Sequence, residues 1–343
     1  METQMKSVDN LVDNEKTYEQ AVDILKSGGL VAFPTETVYG LGAIATDEQA
    51  VQQIFEAKGR PADNPLIVHI GNKSDTVKYA AEVPEVAERL MEAFWPGPLT
   101  LVMEMKPGVI AKTVTAGMHT LAIRMPNHPV ALALLQKLQL PVAAPSANRS
   151  GKPSPTEAEH VYHDLFGKIP LILDGGATGI GVESTVLDVT VTPPVILRPG
   201  GISKEQIEEL IGTVHLAAKP EDQTTTPRAP GMKYTHYAPE APLFVIEPDA
   251  ARLETALNSI HRQGKRVAVI GPDELHTANA DWYFSTGAIS SHEAMAANLY
   301  KAIRQSDATE ADVILAVETD LSGIGAAVMN RLEKASDGKR FSE

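Results

Sequence analysis

Two apolar runs and two polar turns lie between residues 30 and 70, in the stretches LVAFPTETVYGLG (30–42) and KGRPADNPLIVHI (58–70). Each apolar run is short and rich in Leu, Ile and Val, which is typical of a buried strand, and each meets a turn that carries Gly or Pro. Turns of this kind often carry functional side chains, because a rigid strand positions them. The region therefore predicts a site with polar groups at the ends of buried strands.

Lys58 and Arg60 flank one glycine in the second stretch, and Pro61 follows them. Gly59 lets the backbone approach a ligand closely and Pro61 biases Arg60 away from a helix, so the pattern predicts two cations on an extended loop. A lysine point charge beside an arginine fork suits phosphate or carboxylate oxygens. From this spacing alone, two ordinary solvated cations remain the more common explanation. His69 alternates into an apolar strand, where a histidine is more often a core residue than a ligand group.

The overall composition limits the function classes. The chain has 343 residues, 43% of them hydrophobic, which favours two domains with packed cores. Its 30 basic and 44 acidic side chains give a net charge of −14, which disfavours broad adhesion to nucleic acid or anionic membrane. The absence of cysteine excludes disulfides, zinc–thiolate sites and thiol nucleophiles. No apolar run approaches membrane-spanning length and no signal sequence is present, so we expect a cytoplasmic protein with no membrane association.

The pattern of elements predicts an α/β chain in three parts. Residues 1–216 mix helices with many short strands that do not alternate strictly, which favours a twisted mixed sheet with flanking helices. Residues 217–241 read as a linker because Pro and polar residues are frequent. Residues 242–343 alternate strands and helices as in a small Rossmann-like α/β domain. Within the linker, residues 229–239 carry Met, Tyr, His and Lys, so this segment packs either on a domain surface or on a bound ligand.

Common nucleotide and catalytic motifs are absent. The sequence GIGVES at 179–184 lacks the last glycine of the dinucleotide fingerprint, and no Gly-Lys pair has the upstream glycine of a Walker A loop. There is neither a His-Glu-x-x-His nor a Gly-x-Ser-x-Gly pattern. A nucleotide site in this chain must therefore have another design.

Six motifs in the same order closely resemble the YrdC-like family. They are PTETVYGL (34–41), KGRP (58–61), PL (65–66), PSAN (145–148), ESTV (183–186) and RPG (198–200). The Lys-x-Arg and Ser-x-Asn pairs are the family's usual hallmark. Residues 229–239 and the C-terminal α/β domain resemble the two-domain form of the family, so the resemblance extends over essentially the whole chain.

The resemblance implies a YrdC-like fold and a reaction. L-Threonine, bicarbonate and ATP would give L-threonylcarbamoyladenylate and pyrophosphate, the first step of making threonylcarbamoyladenosine at position 37 of tRNA, beside the anticodon. Mg²⁺ would accompany ATP, although the sequence names no protein ligand for it. A separate threonylcarbamoyl transferase complex would use the product. A weak contact with tRNA stays open.

The resemblance also implies roles for individual residues. Lys58, Arg60, Ser146 and Asn148 would be the catalytic group. ATP would contact Lys58, Arg60, Asn64, Thr120, Asn148, Thr156, Arg198 and Tyr237. Threonine would contact Thr37, His69, Arg124, Ser146 and Ser184, with Arg124 pairing its carboxylate. The segment 229–239 would fold over this pocket as a lid and exclude water, in which a carbamate and a mixed anhydride decompose.

Two other functions remain in competition. A protein that binds RNA through a basic cleft without chemistry would explain the loop cations, but the net charge of −14 disfavours it. Related domains also occur in carbamoyltransferases that mature hydrogenases. Those enzymes carry a zinc finger, which a chain without cysteine cannot form.

Overall fold

The computed structural model describes residues 1–8, 14–217 and 237–342, and the chain divides into two compact units. The first unit takes in Met1–Ser150, Pro155–Gly179 and Glu183–Tyr234. The second takes in Gly151–Ser154, Ile180–Val182 and Thr235–Glu343. Two short segments that precede the predicted linker, Gly151–Ser154 and Ile180–Val182, thus belong to the second unit, which the sequence did not predict. The domain boundaries at 216 and 241 stay predictions.

A mixed sheet forms the centre of the first unit. Its strand order is β1-β8-β2-β3-β7-β4-β6-β5-β9-β10-β11, with parallel pairs such as β4 with β6 and antiparallel pairs such as β5 with β6. The mixed sheet that the sequence predicts is confirmed. The strands are β1 Gln4–Ser7, β2 Val31–Phe33, β3 Gly40–Ile44, β4 Ile67–His69, β5 Leu99–Glu104, β6 Thr120–Arg124, β7 Val142–Ala143, β8 Leu171–Asp174, β9 Thr185–Asp188, β10 Val195–Arg198 and β11 His215–Leu216.

Two edge strands of this sheet were missed by the sequence analysis. β1 has a largely exposed, polar sequence and β11 has only two residues, both exposed. Neither strand buries a face of its own, so neither shows the hydrophobic alternation that marks a strand in sequence. Their pairing with β8 and β10 is what makes them strands.

Helices cover the sheet and bury its apolar side chains in a large core. Local signals set several of their ends: Asp47 caps α2 by accepting from the amides of Gln49 and Ala50, and Ser203 and Gln206 form a capping box at the start of α8. The helices are α1 Glu15–Lys26, α2 Glu48–Lys58, α3 Thr76–Tyr79, α4 Glu85–Phe94, α5 Lys112–Thr115, α6 Pro129–Leu138, α7 Ala158–Leu165 and α8 Lys204–Ile211.

The end of α2 differs from the expected loop. Lys58 is the last residue of this helix, and Gly59 ends it in the left-handed conformation with φ 63°. Only Arg60 follows in non-helical backbone. The glycine therefore acts as a helix C-cap. The Lys-Gly-Arg spacing is compatible both with this role and with a loop that approaches a ligand.

The second unit contains a four-stranded parallel sheet in the order β12-β15-β13-β14, which confirms the predicted α/β architecture. A helix follows three of the strands, and the last of these helices was not predicted. The strands are β12 Leu243–Ile246, β13 Val267–Gly271, β14 Trp282–Ser285 and β15 Val313–Val317, and the helices are α9 Ala250–Arg262, α10 His292–Asp307 and α11 Gly325–Ala335.

The segment Gly151–Ser154 is held in the second unit by charged contacts. The Lys152 ammonium lies 2.8 Å from an Asp307 carboxylate oxygen and 3.2 Å from one of Glu240. Arg304 donates a hydrogen bond of 2.5 Å to the Pro153 carbonyl. These contacts explain why this short segment packs with residues much later in the chain.

Candidate active site

One face of the central sheet carries the polar side chains of the candidate site. In β6, Leu121 and Ile123 belong to the main core, so the alternation of a strand places Thr120, Ala122 and Arg124 on the opposite face. A small apolar cluster, separate from the main core, lies on that face and contains Ile67, Val102, Ala122, Val186 and Leu197. The same alternation puts His69 of β4 on the face of Ile67, and Thr120 and Arg124 of β6 on the face of Ala122.

Arg124 is almost fully buried at the end of β6, with 3% of its surface exposed. Its Nε donates to the Gly97 carbonyl at 3.2 Å and one terminal nitrogen donates to the Thr37 hydroxyl at 3.0 Å. The other terminal nitrogen lies 2.6 Å from a carboxylate oxygen of Glu36. The turn at 34–38 and the end of β6 are thus joined through one guanidinium group.

His69 ends β4 directly beside Arg124, because the two residues are register partners in the parallel β4–β6 pair. Burial, with the neighbouring Arg124 charge, lowers the pKa of His69 to about 3. The imidazole is therefore neutral at pH 7 and can accept or donate a hydrogen bond there.

Lys58 connects α2 to the PSAN motif. It is 2% exposed, and its ammonium donates to the carbonyls of Ser146 at 2.5 Å and Asn148 at 2.6 Å. The Asn148 side-chain oxygen lies 3.4 Å from the same ammonium and accepts a hydrogen bond from the Ser146 hydroxyl at 2.6 Å. Lys58 therefore fixes the backbone that presents the Ser-x-Asn pair and places a positive charge beside it.

Backbone hydrogen bonds tie the PSAN motif to the first stretch. Leu41 donates to the Pro145 carbonyl and Ala147 donates to the Tyr39 carbonyl, each at 2.8 Å. The two motifs are far apart in sequence, yet they form one rigid support for the site.

A second buried guanidinium group lies at the end of β10. Arg198 is 5% exposed and donates to the Ser184 carbonyl from Nε at 3.2 Å and from a terminal nitrogen at 2.9 Å. The Ser184 hydroxyl lies 3.3 Å from that nitrogen and 2.8 Å from the Thr100 hydroxyl. Arg198, Ser184 and Thr100 thus form one hydrogen-bonded group across β5, β9 and β10.

Arg60 lies partly exposed after α2. A terminal nitrogen of its guanidinium is 3.4 Å from the Asn64 carbonyl, and the guanidinium lies 5.9 Å from the centre of the Phe55 ring. Asn64 is 1% exposed, and its side-chain oxygen has no hydrogen-bond partner among the described residues. Such an acceptor is expected to be satisfied by a ligand or by water.

Three further candidates occupy other places. Thr120 starts β6, at the end opposite to Arg124. Thr156 is 3% exposed, and its backbone donates to the His160 ring at 3.2 Å. Tyr237, in the second unit, is buried, has φ 67° and packs its ring 5.0 Å from that of Tyr300. The rest of the predicted lid, residues 229–236, lies outside the described residues.

The chemistry of the site depends on positive charge and hydrogen bonds. Within residues 1–8, 14–217 and 237–342, no three His, Cys, Asp or Glu side chains form a group that could hold a metal ion. In the same residues, no helix combines the length and the apolar character needed to cross a bilayer. Two buried guanidinium groups and a buried ammonium can neutralise and orient an anionic ligand without a protein nucleophile.

Comparison with known proteins identifies the family. The family described as "Telomere recombination" matches residues 23–200, and the one described as "Threonylcarbamoyl-AMP synthase, C-terminal domain" matches residues 202–337. A threonylcarbamoyl-AMP synthase of Bacillus subtilis is 51% identical, over 96% of this chain and 96% of its own. The chain belongs to the threonylcarbamoyl-AMP synthase family. A Schizosaccharomyces pombe threonylcarbamoyl-AMP synthase is 42% identical, over 94% of this chain and 89% of its own.

A solved structure of a related protein agrees with this family. The crystal structure of Pyrococcus abyssi Sua5 complexed with L-threonine matches with a TM-score of 0.93 and 48% identity, and the match covers 99% of both chains. This likeness includes both units, so the chain has the two-domain form of the threonylcarbamoyl-AMP synthase family.

Two polar residues of this candidate site were not among the sequence-based candidates. Glu36 is part of the quoted PTETVYGL motif, but its contact with Arg124 joins two residues that are distant in sequence and has no local signal. Thr100 is a lone hydroxyl in the apolar strand β5. The signal that could have identified Thr100 is its position as one polar side chain among apolar residues.

Proposed function

We propose that this chain makes L-threonylcarbamoyl-AMP and pyrophosphate from L-threonine, bicarbonate and ATP, the first step of forming threonylcarbamoyladenosine at position 37 of tRNA. The observation that carries the proposal is a set of three buried cations, Lys58, Arg124 and Arg198. Each of them donates a hydrogen bond to a residue of one of the sequence motifs, PSAN, PTETVYGL or ESTV. Substrates that carry a carboxylate, a bicarbonate and a triphosphate supply the anions that such a site suits.

The reaction needs charge neutralisation and positioning more than covalent chemistry. The threonine amine combines with bicarbonate to give a carbamate, with loss of water. A carbamate oxygen then attacks the α-phosphorus of ATP, and the bond to the leaving pyrophosphate breaks. No protein nucleophile takes part, which fits a chain without cysteine.

The threonine part of the site is assigned to the face around β4, β6 and β9. Arg124 pairs the threonine carboxylate, and Thr37 and Ser184 supply hydroxyl groups. The neutral imidazole of His69 lies against Arg124 without adding charge. Ser146 donates from the PSAN motif. This assignment is supported by the hydrogen bonds and the strand register that bring Arg124 together with Thr37 and His69.

The nucleotide part is assigned to the other cations and to the amide side chains near them. Lys58, Arg60 and Arg198 face the phosphates or the carbamate, with Asn148 beside Lys58. The remaining proposed nucleotide contacts are Asn64, Thr120, Thr156 and Tyr237. Magnesium enters as part of the Mg–ATP substrate, because magnesium commonly binds substrate phosphates and keeps several waters.

The proposal extends to where the product goes. Threonylcarbamoyl-AMP is a reactive mixed anhydride, so a separate threonylcarbamoyl transferase complex in the same compartment must use it before water does. We propose the cytoplasm as this compartment, in line with the expectation from the sequence. A weak tRNA contact is compatible with the reaction but is not required by it.

Pyrophosphate release tests the proposed function. Purified full-length protein is incubated with Mg–ATP and labelled bicarbonate, with and without L-threonine, and compared with Lys58→Ala and Arg60→Ala. We expect release that requires both threonine and bicarbonate and that falls by at least about a hundredfold in each variant, because each removes a charge that faces crowded anions. Lys168→Ala, which removes a solvent-exposed lysine, is the matched control and should release pyrophosphate normally.

Two results would count against the proposal. Release that ignores threonine would indicate ordinary ATP hydrolysis. The absence of release from folded wild-type protein would favour the RNA-binding alternative, which RNA titration at several salt concentrations would then examine. Arg60 is partly exposed, so Arg60→Ala is expected to fold even if Lys58→Ala does not.

A further inference from the structure

Glu36 is a buried carboxylate in the proposed threonine site to which no role has been given. Its side chain is 12% exposed, and one carboxylate oxygen lies 2.6 Å from Arg124. Neither oxygen is exposed to solvent, and neither accepts a well-aligned hydrogen bond from the described residues. The motif therefore places an anion beside the cation that is assigned to the threonine carboxylate.

The carboxylate of Glu36 has more acceptor capacity than the protein uses. An ionised carboxylate can accept about four hydrogen bonds. The single ion pair with Arg124 leaves most of this capacity unused in a buried place, which is unfavourable unless donors arrive. The surroundings of Glu36 therefore suit a ligand group that is positively charged and carries several N–H donors.

The guanidinium of Arg124 is held so that only part of it meets Glu36. Gly97 accepts from Nε and Thr37 accepts from one terminal nitrogen, which fixes the plane of the group. The other terminal nitrogen is thereby held in its position 2.6 Å from the Glu36 carboxylate. An α-amino acid has its carboxylate and its ammonium on the same carbon, so its two neighbouring charges have the signs that a neighbouring cation and anion complement.

We propose that Glu36 binds the α-ammonium group of L-threonine while Arg124 binds its carboxylate, so that the pair selects an α-amino acid. This inference rests on the proposed function. The carbamate nitrogen carries no positive charge, so the contact with Glu36 is made before carboxylation. Loss of Glu36 therefore raises the KM for threonine more than it lowers kcat.

Calorimetric binding to the full-length protein tests this role. L-Threonine is compared with 2,3-dihydroxybutanoate, which keeps the carboxylate and the side-chain hydroxyl but has a hydroxyl in place of the amine. We expect Glu36→Gln to weaken threonine binding about 10- to 100-fold, the range for a hydrogen bond to a charged group, and to leave binding of the dihydroxy acid within about threefold of wild type. Glu19→Gln, which changes an exposed glutamate paired with Lys137, should alter neither.

The outcomes separate this inference from its alternatives. Equal weakening of both ligands would mean that Glu36 only supports the fold, and tighter binding of both would mean that it only neutralises Arg124; either result overturns the inference. If Glu36→Gln does not fold, Glu36→Asp is used instead, because it keeps the charge but moves the carboxylate back by one methylene group. This variant must weaken threonine binding more than binding of the dihydroxy acid. If wild-type protein does not bind threonine in the presence or absence of ATP, the proposed function fails and the inference fails with it.

Discussion

At the scale of single residues, His69 shows how the sheet changes the chemistry of a side chain. The ring is 4% exposed and lies beside Arg124 in the strand register. Burial disfavours the charged imidazolium and the guanidinium repels it, which together lower the pKa of His69 to about 3. The site therefore keeps a neutral histidine at any pH near neutrality.

This lowered pKa predicts a loss of stability in acid. The unfolded chain binds a proton at His69 below pH ~6.5 and the folded chain does so only below about 3, so the group destabilises the folded state as the pH falls through this window. Between pH 7 and pH 5 the loss from this group is about 2 kcal/mol. Urea unfolding of wild type and His69→Asn at both pH values measures it.

The comparison needs a control because carboxylates also titrate in this range. His163→Asn changes a solvent-exposed histidine and should leave the pH dependence of wild type intact. If His69→Asn loses as much stability between pH 7 and pH 5 as wild type does, His69 is not held neutral by the fold.

At the scale of elements, Gly200 shows how closely the turn after β10 packs. A Cβ atom at this position would overlap the backbone of Glu183, Ser184 and Thr185. We expect Gly200→Ala to lower the free energy of unfolding by about 1–3 kcal/mol, as overpacking does, and to displace Ser184 from Arg198. Gly179→Ala is the control, since no atom lies within 4 Å of the position that its Cβ would take. Thermal unfolding of both variants decides the point; equal melting temperatures would contradict it.

The capping box of α8 offers a test of a local signal. The Gln206 amide donates to the Ser203 hydroxyl at 3.3 Å, and the Ser203 amide donates to the Gln206 side chain at 2.9 Å. Ser203→Ala should lower the free energy of unfolding by about 1 kcal/mol, because a helix amide loses its acceptor. Ser203→Asp restores an acceptor and should recover most of this loss in the same urea titration. An unchanged midpoint in Ser203→Ala would mean that tertiary contacts alone hold the helix start.

At the scale of the whole molecule, the segment 229–239 is predicted to be a lid over the active site. A chain that stops before Ala229 should keep a folded first unit, measured by circular dichroism, but release little pyrophosphate, because water reaches the carbamate and the mixed anhydride. Full turnover by the folded, truncated chain would refute the lid. Most of this segment lies outside the described residues, so the prediction depends on the sequence.

Several helices could be located from sequence because their ends are decided by nearby residues. Asp47 and Ser203 start helices through hydrogen bonds within one turn, and Gly28 follows the end of α1 in the left-handed conformation. The strand Leu243–Ile246 and the three strands of the same sheet were recognised as short apolar runs. The missed edge strands had no such local pattern.

The family and the mixed α/β class could be recognised from the sequence, because ordered motifs and hydrophobic periodicity are local properties of the chain. The same motifs predicted most residues of the candidate site. Only the tertiary structure decided that Lys58 ends a helix and holds the Ser146 and Asn148 backbone. It also decided that Glu36 meets Arg124. These contacts join residues that are distant in sequence, and they depend on strand order and register, which arise when the whole sheet packs and which no local pattern contains.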